Sequence, residues 1–436
     1  MKLRNLLEID FSLFFAALIL TVFGILFIYS SGITSTGVLV SNEYVRQIVW
    51  AIGGTMIALF VALINYRRLY DLSIYFYLAT LLLLIYTCFF GRLVNGARAW
   101  IGIGSFGIQP SEFAKITTII FLARYLDSSK RNQKHLIRFV FSCGIVFVPM
   151  VIVLLQPDFG TSLVFIPILL GMTFVAGISF RYIVFLSACI LFMGIFMVLP
   201  LWQTYILRGA MPFLSIVQNV RFVAISVAAL FLVMVIASIG LRLYQKRYFF
   251  WIIYGSAIIA FSLGVSFVSH RVLKDYQIMR LIVFLDPNVD PRGAGWNIIQ
   301  SITAIGSGGL LGKGYLQGTQ SHYRFLPQQS TDFIFSIFSE EWGLLGGILV
   351  FVLFLLICLR LIRIMKTTSD TFGTYIAAGL SSMYVFHFLI NVGMTMGIMP
   401  ITGIPLLFMS YGGSALISAM GGIGLALSIY IRRYQH

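Results

Sequence analysis

Charge is what this sequence has least of. Asp, Glu, Lys and Arg make up 10% of 436 residues, and only 14 of these are acidic, where soluble globular domains carry about 25% charged residues. The deficit runs along the whole length and leaves a mean hydropathy of +0.97, which excludes an ordinary soluble fold. Cysteine is equally sparse. Cys88, Cys143, Cys189 and Cys358 each lie inside an apolar run, without metal-ligand spacing and away from any loop that a disulfide would staple, so they read as small apolar side chains. His322 has no His or Cys companion at zinc spacing, so no metal ligands are assigned. No internal repeat and no low-complexity tract interrupts the chain. The glycine-rich run AIGSGGLLGKGYLQGTQS (304–321) fails the GxxxxGK[ST] pattern because Gly314 follows Lys313. No cleavable leader is expected either. The first apolar run, 11–30, exceeds a signal-peptide core of about 7–15 residues and offers no small-residue cleavage site, so it reads as a retained span.

What is present is hydrophobic length. A bilayer asks for about 20 apolar residues per helix, and such runs occur at 11–30, 46–65, 72–91, 110–126, 138–155, 161–178, 182–200, 221–241, 248–268, 333–359, 374–397 and 406–431. The expected architecture is all-α, a polytopic membrane helix bundle of about twelve spans, with polar segments at 92–109 and 201–219 and a large loop at 269–332. With the N-terminus inside, most of the 30 basic residues fall in the inner connections. They stand at Lys2 and Arg4, at Arg67 and Arg68, between Arg124 and Arg138, at Arg181, from Arg242 to Arg247, from Arg360 to Lys366, and at Arg432 and Arg433. Arg46, Arg92, Arg98, Arg208 and Arg221 fall outside. That bias predicts both termini in the cytoplasm. It also accounts for the net charge of +16 without a nucleic-acid partner, since the charges come in twos and threes with no basic face.

The same topology places every unusual polar cluster on the outer side. WIGIGSFGIQPSEFAK (100–115), LQPDFGTS (155–162), the end of the long loop at Asp332 and GIPLLFMSYGGSA (403–415) bring Glu112, Lys115, Asp158, Asp332, Ser410 and Tyr411 to one membrane surface. Ionisable side chains at such depth face a cavity or a partner. Each also has a plainer use. Pro110 and Glu112 suit a helix first turn, and Glu112 with Lys115 suits an i, i+3 pair. Asp158 suits an N-cap, and either Thr331 or Asp332 would cap the following helix. Glu340 and Glu341 lie about 12 Å further along that helix at ~1.5 Å per residue, where a structural ion pair fits best. His387 and Asn391, one turn apart, suit bonds between helices. Lys313 and its neighbouring glycines either cradle a phosphate or let a segment lie close against the membrane surface.

IQPSEFAK (108–115), QPDFGTS (156–162), FLDPNVDPRGAGWNIIQSITAIGSGGLLGKGYLQGTQS (284–321), LPQQSTDFIFSIFSEEWG (326–343) and NVGMTMGIMPITGIPLLFMSYGGSAL (391–416) together resemble the SEDS family of integral membrane proteins over nearly the whole chain. GKGYLQGTQS is more similar to the family's elongation branch than to its division branch. The resemblance implies a single membrane domain over 1–436 with a family core of ten spans, and makes roughly 205–268 an inserted helical hairpin. It implies a peptidoglycan glycosyltransferase of cell elongation and shape maintenance, polymerising lipid II on the outer face of the cytoplasmic membrane beside a class B penicillin-binding protein and membrane lipid. The family's essential aspartate falls on Asp332, and Trp100, Glu112, Lys115 and Asp158 match other motif positions. Gln328 and Ser330 stand where Glu and His are common in the family.

On this reading Asp332 is the catalytic general base. Trp100, Glu112, Lys115, Asp158, Lys313, Ser410 and Tyr411 are expected to contact substrate. The leaving diphosphate calls for positive charge or main-chain N–H groups, from Lys115, or more weakly from Lys313 and the 306–314 main chain, with a divalent cation as a further helper. The rival readings are a lipid II flippase, a division-type polymerase, and a scaffold without chemistry. The one-sided placement of the charges and the absence of repeats argue against alternating access.

Overall fold

The computed structural model describes residues 10–94, 96–103, 106–130, 133–202, 219–272 and 275–434, with the side chains of 103, 106, 201, 270–272, 275–278 and 294 left out. Lys2, Arg4, Arg131, Arg208 and most of the polar segment 201–219 lie outside the described residues. Among those residues ten helices are long and apolar enough to cross a membrane. The protein is therefore an integral membrane protein, as the charge deficit requires.

One compact unit combines residues 1–178 with 297–436. Its helices are α1 (Phe11–Ser31), α2 (Glu43–Leu63), α3 (Arg68–Phe90), α4 (Pro110–Ser128), α5 (His135–Leu155), α6 (Phe159–Leu163) and α7 (Phe165–Val175). The second, 179–296, holds α8 (Phe180–Trp202), α9 (Val220–Tyr244), α10 (Arg247–Val272) and α11 (Asp275–Leu285). Then α12 (Ala294–Ser307) leads back into the first unit, which continues with α13 (Thr319–His322), α14 (Ile334–Thr367), α15 (Thr371–Thr395) and α16 (Gly413–Ile431). In the second unit α9 turns into α10 through Gln245, whose φ of 52° places it in the left-handed region. Ser262 and Tyr254 of α10 donate to the carbonyls of Cys189 and Arg181 at 3.1 and 2.6 Å.

In the first unit α2 lies along α16 on small residues. Ala51, Gly54, Ala58 and Ala62 make up most of the buried stripe of α2, and a Cβ on Gly424 would collide with the carbonyl of Ala58. Such contacts bind helices by close van der Waals approach where lipid removes the hydrophobic drive. Some of the basic residues that set the expected orientation also close helix ends. Arg138 donates to Leu126 O at 2.9 Å, and Arg432 to Leu63 O at 2.7 Å and Ala62 O at 3.2 Å, meeting carbonyls at the ends of α4 and α2 that have no partner within the helix.

The structure departs from the expected architecture in five places. Segment 92–109 is not a plain loop: β1 (Arg92–Val94), β2 (Ala97–Ile103) and β3 (Phe106–Ile108) form a small antiparallel sheet in chain order, with Arg92 opposite Trp100 and Ile101 opposite Ile108. Gly96, at a φ of 84°, supplies the left-handed turn between β1 and β2. The expected loop 269–332 is largely helical, because α10 runs on to Val272 and α11, α12 and α13 follow. These helices are too short or too polar for a span criterion to detect. The sixth span is shorter than expected, an apolar helix from Phe159 to Val175 with helical φ and ψ at Val164, where α6 meets α7. The last span begins at Gly413, seven residues later than expected.

The tenth span is itself broken. Gly343 interrupts α14 at φ 62°, ψ −160°, and the main-chain groups freed by the break bond to the glycine-rich run. Leu344 N reaches Gly309 O at 2.9 Å and Leu345 N reaches Leu310 O at 3.2 Å. Lys313 N and Gly314 N return to the carbonyls of Glu340 and Glu341 at 3.1 and 3.0 Å. A broken helix survives in a membrane only when its polar groups are met again in this way. A Cβ on Gly312 would strike Glu341 O, and one on Gly343 would strike Gly312 N. Gly343→Ala is therefore expected to lose at least about 1–3 kcal/mol from its backbone conformation alone, read as a lowered unfolding midpoint in detergent. An unchanged midpoint would contradict this account of the break.

Candidate active site

The site is organised by a stretch with no regular structure. Residues 401–412 are non-helical, yet Leu406, Leu407, Phe408 and Met409 are fully buried. Phe408 has a φ of 70° and Gly403 one of 72°, which end helical winding locally. Met409 packs so closely on α1 that a Cβ on Gly24 would strike its main chain. Buried irregular backbone must find hydrogen bonds from side chains, and three polar residues in otherwise apolar spans provide them. Gln47 of α2 donates to Ser410 O at 3.1 Å and accepts from Gly412 N at 3.3 Å. His387 Nδ1 of α15 donates to Pro405 O at 3.1 Å, and Asn391 Nδ2 donates to Ile404 O at 2.8 Å. Ser410 turns its hydroxyl inward to accept from Leu406 N at 2.8 Å. The expectation that His387 and Asn391 bond between helices is thus refined, since most of their partners are main-chain carbonyls.

Glu112 and Lys115 form the expected i, i+3 pair, with Nζ 2.9 Å from both carboxylate oxygens. Lys115 is only 1% exposed. Its ammonium also reaches His387 Nε2 at 3.0 Å. Because His387 Nδ1 faces a carbonyl, that nitrogen carries the proton, and Nε2 accepts from the ammonium. The cluster is therefore a closed ion pair extended by a neutral imidazole. It is anchored to α16 where Ser418 Oγ donates to Glu112 O at 3.0 Å.

Asp158 caps α6, accepting from Thr161 N at 3.2 Å, and its second oxygen accepts from Gln109 Nε2 at 2.7 Å. Burial holds its carboxyl above the usual carboxylate range. Hydrogen bonds from Thr161 oppose that rise, the Glu112 charge adds to it and the Lys115 charge opposes it. Gln109 N in turn donates to Ser414 Oγ at 2.9 Å. A Cβ on Gly160 would strike Thr402 O, so the motif around Asp158 touches the irregular stretch directly.

Asp332 stands half-buried just before α14. Its N–H donates to Gln328 O at 3.2 Å, in a turn opened by the left-handed φ of 52° at Gln328. Phe333 occupies the N-cap position and contributes no side-chain bond. The Thr331 hydroxyl turns back to Gln328, 3.3 Å from O and 3.2 Å from Oε1. Thr331 therefore does not cap the helix, and the cap position falls beyond Asp332. Asn391 Nδ2 donates to Asp332 O at 3.0 Å. Next to it, Ser330 donates to Glu43 Oε2 at 2.6 Å and its carbonyl accepts from Tyr411 N at 2.8 Å. The structure therefore joins Asp332, Ser410, Tyr411, Glu112, Lys115 and Asp158 through one continuous network at one end of the first unit.

The two remaining expected contacts, Trp100 and Lys313, have local partners of their own. Trp100 lies half-buried in β2, its ring edge 3.0 Å from where a Cβ on Gly107 would stand, in the sheet that leads into α4. Lys313 donates to Glu340 Oε1 at 2.7 Å and to Thr319 Oγ1 at 2.7 Å, which bears out the structural ion pair expected for the glutamates. Glu340 also accepts from Gln320 N at 2.9 Å, and Glu341 accepts from the Ser30 hydroxyl and from Leu316 N at 3.0 Å. The N–H groups of Gly308, Gly312, Lys313 and Gly314 are all engaged with carbonyls, so this run grips the broken helix. Gln47, Glu43 and Gln109 were not foreseen. Gln47 was legible as an isolated amide in an apolar span, and Gln109 as the neighbour of Pro110.

With this geometry in view, known proteins place the chain. The FtsW/RodA/SpoVE family, described as cell cycle protein, matches residues 11–219 and 210–435. The peptidoglycan glycosyltransferase RodA of Treponema pallidum is 49% identical over 433 residues, covering 99% of this chain and 100% of its own length. The peptidoglycan glycosyltransferase MrdB of Escherichia coli K12 is 32% identical over 365 residues, 82% of this chain and 78% of its own. Among solved structures, a chain of a peptidoglycan synthase complex that coordinates polymerization and crosslinking is similar at a TM-score of 0.69 and 25% identity, covering 98% of this chain and 99% of that one. Resemblance and comparison agree: the chain belongs to the FtsW/RodA/SpoVE family of integral membrane proteins.

Proposed function

We infer that the chain is a peptidoglycan glycosyltransferase that polymerises lipid II into glycan strands for cell elongation. The relatives named for this activity support the reaction class. The observation that carries the site is a half-buried aspartate left outside the helix cap and fixed by its main chain where the polar ends of α2, α4, α6, α14 and α16 meet. Asp332 takes the proton from a sugar hydroxyl of the acceptor lipid II. That oxygen bonds to the anomeric carbon of the donor chain, the bond from that carbon to the diphosphate oxygen breaks, and undecaprenyl diphosphate departs with inversion. A carboxylate within reach of the hydroxyl contributes as a general base, and a low-dielectric surround strengthens every charge it uses. Trp100 offers an aromatic face for a sugar ring. Lys115 and Lys313 are each held in an ion pair, so a role at the diphosphate requires either one to exchange a carboxylate for a phosphate. A divalent cation at the diphosphate would be held mainly by the phosphate oxygens with one or two carboxylates, and would help to neutralise the departing charge.

The site faces the extracytoplasmic side of the cytoplasmic membrane in this reading, with both termini inside, and a class B penicillin-binding protein crosslinks the product. The solved synthase complex supports that partnership. The test is the purified full chain in vesicles with fluorescent lipid II, with and without the transpeptidase. Strands resolved on a gel are expected. Lipid II carried across the bilayer without strands would instead establish a flippase, and neither product in either condition would leave a scaffold.

A further inference from the structure

We propose that Asn391 is a positioning residue for Asp332, tying the carbonyl of the base to the buried stretch 401–412. The inference rests on the reading of Asp332 as the base. Asn391 is 0% exposed, so it meets no substrate. Its Nδ2 lies 3.0 Å from Asp332 O and 2.8 Å from Ile404 O. Both partners are carbonyls, so the amide nitrogen must face them, and its two N–H groups are both used. One turn earlier on the same helix, His387 grips the next carbonyl, Pro405, while Lys115 fixes its other nitrogen. Residues four apart share a helix face, so α15 presents a two-point clamp. The Asp332 main chain and two consecutive residues of the irregular stretch are held at fixed spacing to one rigid helix.

The turn needs such a tie. Asp332 precedes α14 and follows Gln328 in a left-handed conformation, so the helix geometry itself does not set where its carboxylate points. A base displaced by about 1 Å loses on the order of 10²-fold in rate. Substrate binding, made by other residues, is left in place.

The experiment uses the full chain in vesicles, with rates normalised to protein showing the wild-type unfolding transition. Asn391→Ala is expected to lower kcat for lipid II about 10²-fold with KM within twofold of wild type. Asn391→Gln, which keeps both donors on a longer arm, is expected to recover part of the loss. If the alanine variant does not accumulate, Asn391→Ser, which is too short to span both carbonyls, is read against the same criterion. Wild-type kcat in the folded alanine or serine variant, or a raised KM with kcat unchanged, overturns the proposal. Asp332→Asn in the same vesicles separates the two readings. Activity in that variant sinks the base itself, whereas inactivity there beside a fully active Asn391→Ala sinks only the clamp.

Discussion

Asp332→Asn is expected to abolish lipid II polymerisation while leaving the protein inserted and folded. The substitution removes the proton acceptor and keeps the size of the side chain, and the main-chain links of the residue, to Gln328 O and from Asn391, are left in place. A general base contributes about 10²–10⁴-fold, so the residual rate should fall to the floor of a gel assay. The carboxylate stands outside the N-cap position of α14, so losing its charge should not unwind the helix, and the unfolding midpoint should stay near that of wild type. Ser330, two residues before it, is committed to Glu43 and offers no substitute base. Retained polymerisation would show that the proton leaves by another route and would remove Asp332 from the chemistry.

Much of the fold and of the candidate site was legible in the sequence, and the rest was hidden for identifiable reasons. Helical spans follow from composition alone, since an apolar run in a membrane must satisfy its own main chain. The i, i+3 spacing of Glu112 and Lys115 announced their pair, and the position of Asp158 announced its cap. Stretch 401–412 is as apolar as a span, so hydropathy merged it with α16. The signal lay in Gly403, Pro405 and the Gly412–Gly413 pair, which mark turns rather than burial. Once that stretch is known to be irregular, the isolated amides and imidazole of Gln47, His387 and Asn391 become necessary, as donors to carbonyls that no helix satisfies. The strands between residues 92 and 108 were hidden in the same way. Composition recorded a polar break, whereas the Asn-Gly pair at 95–96 carried the hairpin signal. The glycine run 304–321 left a phosphate cradle and a closely lying segment both open because glycine serves any close approach, and the structure shows an approach to the main chain of a broken helix.

Lys115 decides between a strut and a substrate contact. Lys115→Met would leave Glu112 as a buried, uncompensated carboxylate, and would leave His387 Nε2 without its donor. Breaking a buried pair from one side costs about 3–5 kcal/mol, so the unfolding midpoint should drop well below that of any other single variant considered, and polymerisation should fall with the amount of folded protein. Adding Glu112→Gln removes the stranded charge, and replacing both partners of a buried pair is often close to neutral. The double variant should therefore regain most of the lost stability. Its activity then separates two roles that stability alone cannot. If the pair only braces α4 against α15 and, through His387, the Pro405 carbonyl, polymerisation per folded molecule should return to within about tenfold of wild type. If the ammonium leaves Glu112 to meet the diphosphate during reaction, the double variant will fold and remain slow, because no neutral pair replaces a positive charge beside a departing anion. Its 1% exposure, with the ammonium already shared between a carboxylate and an imidazole, favours the first outcome.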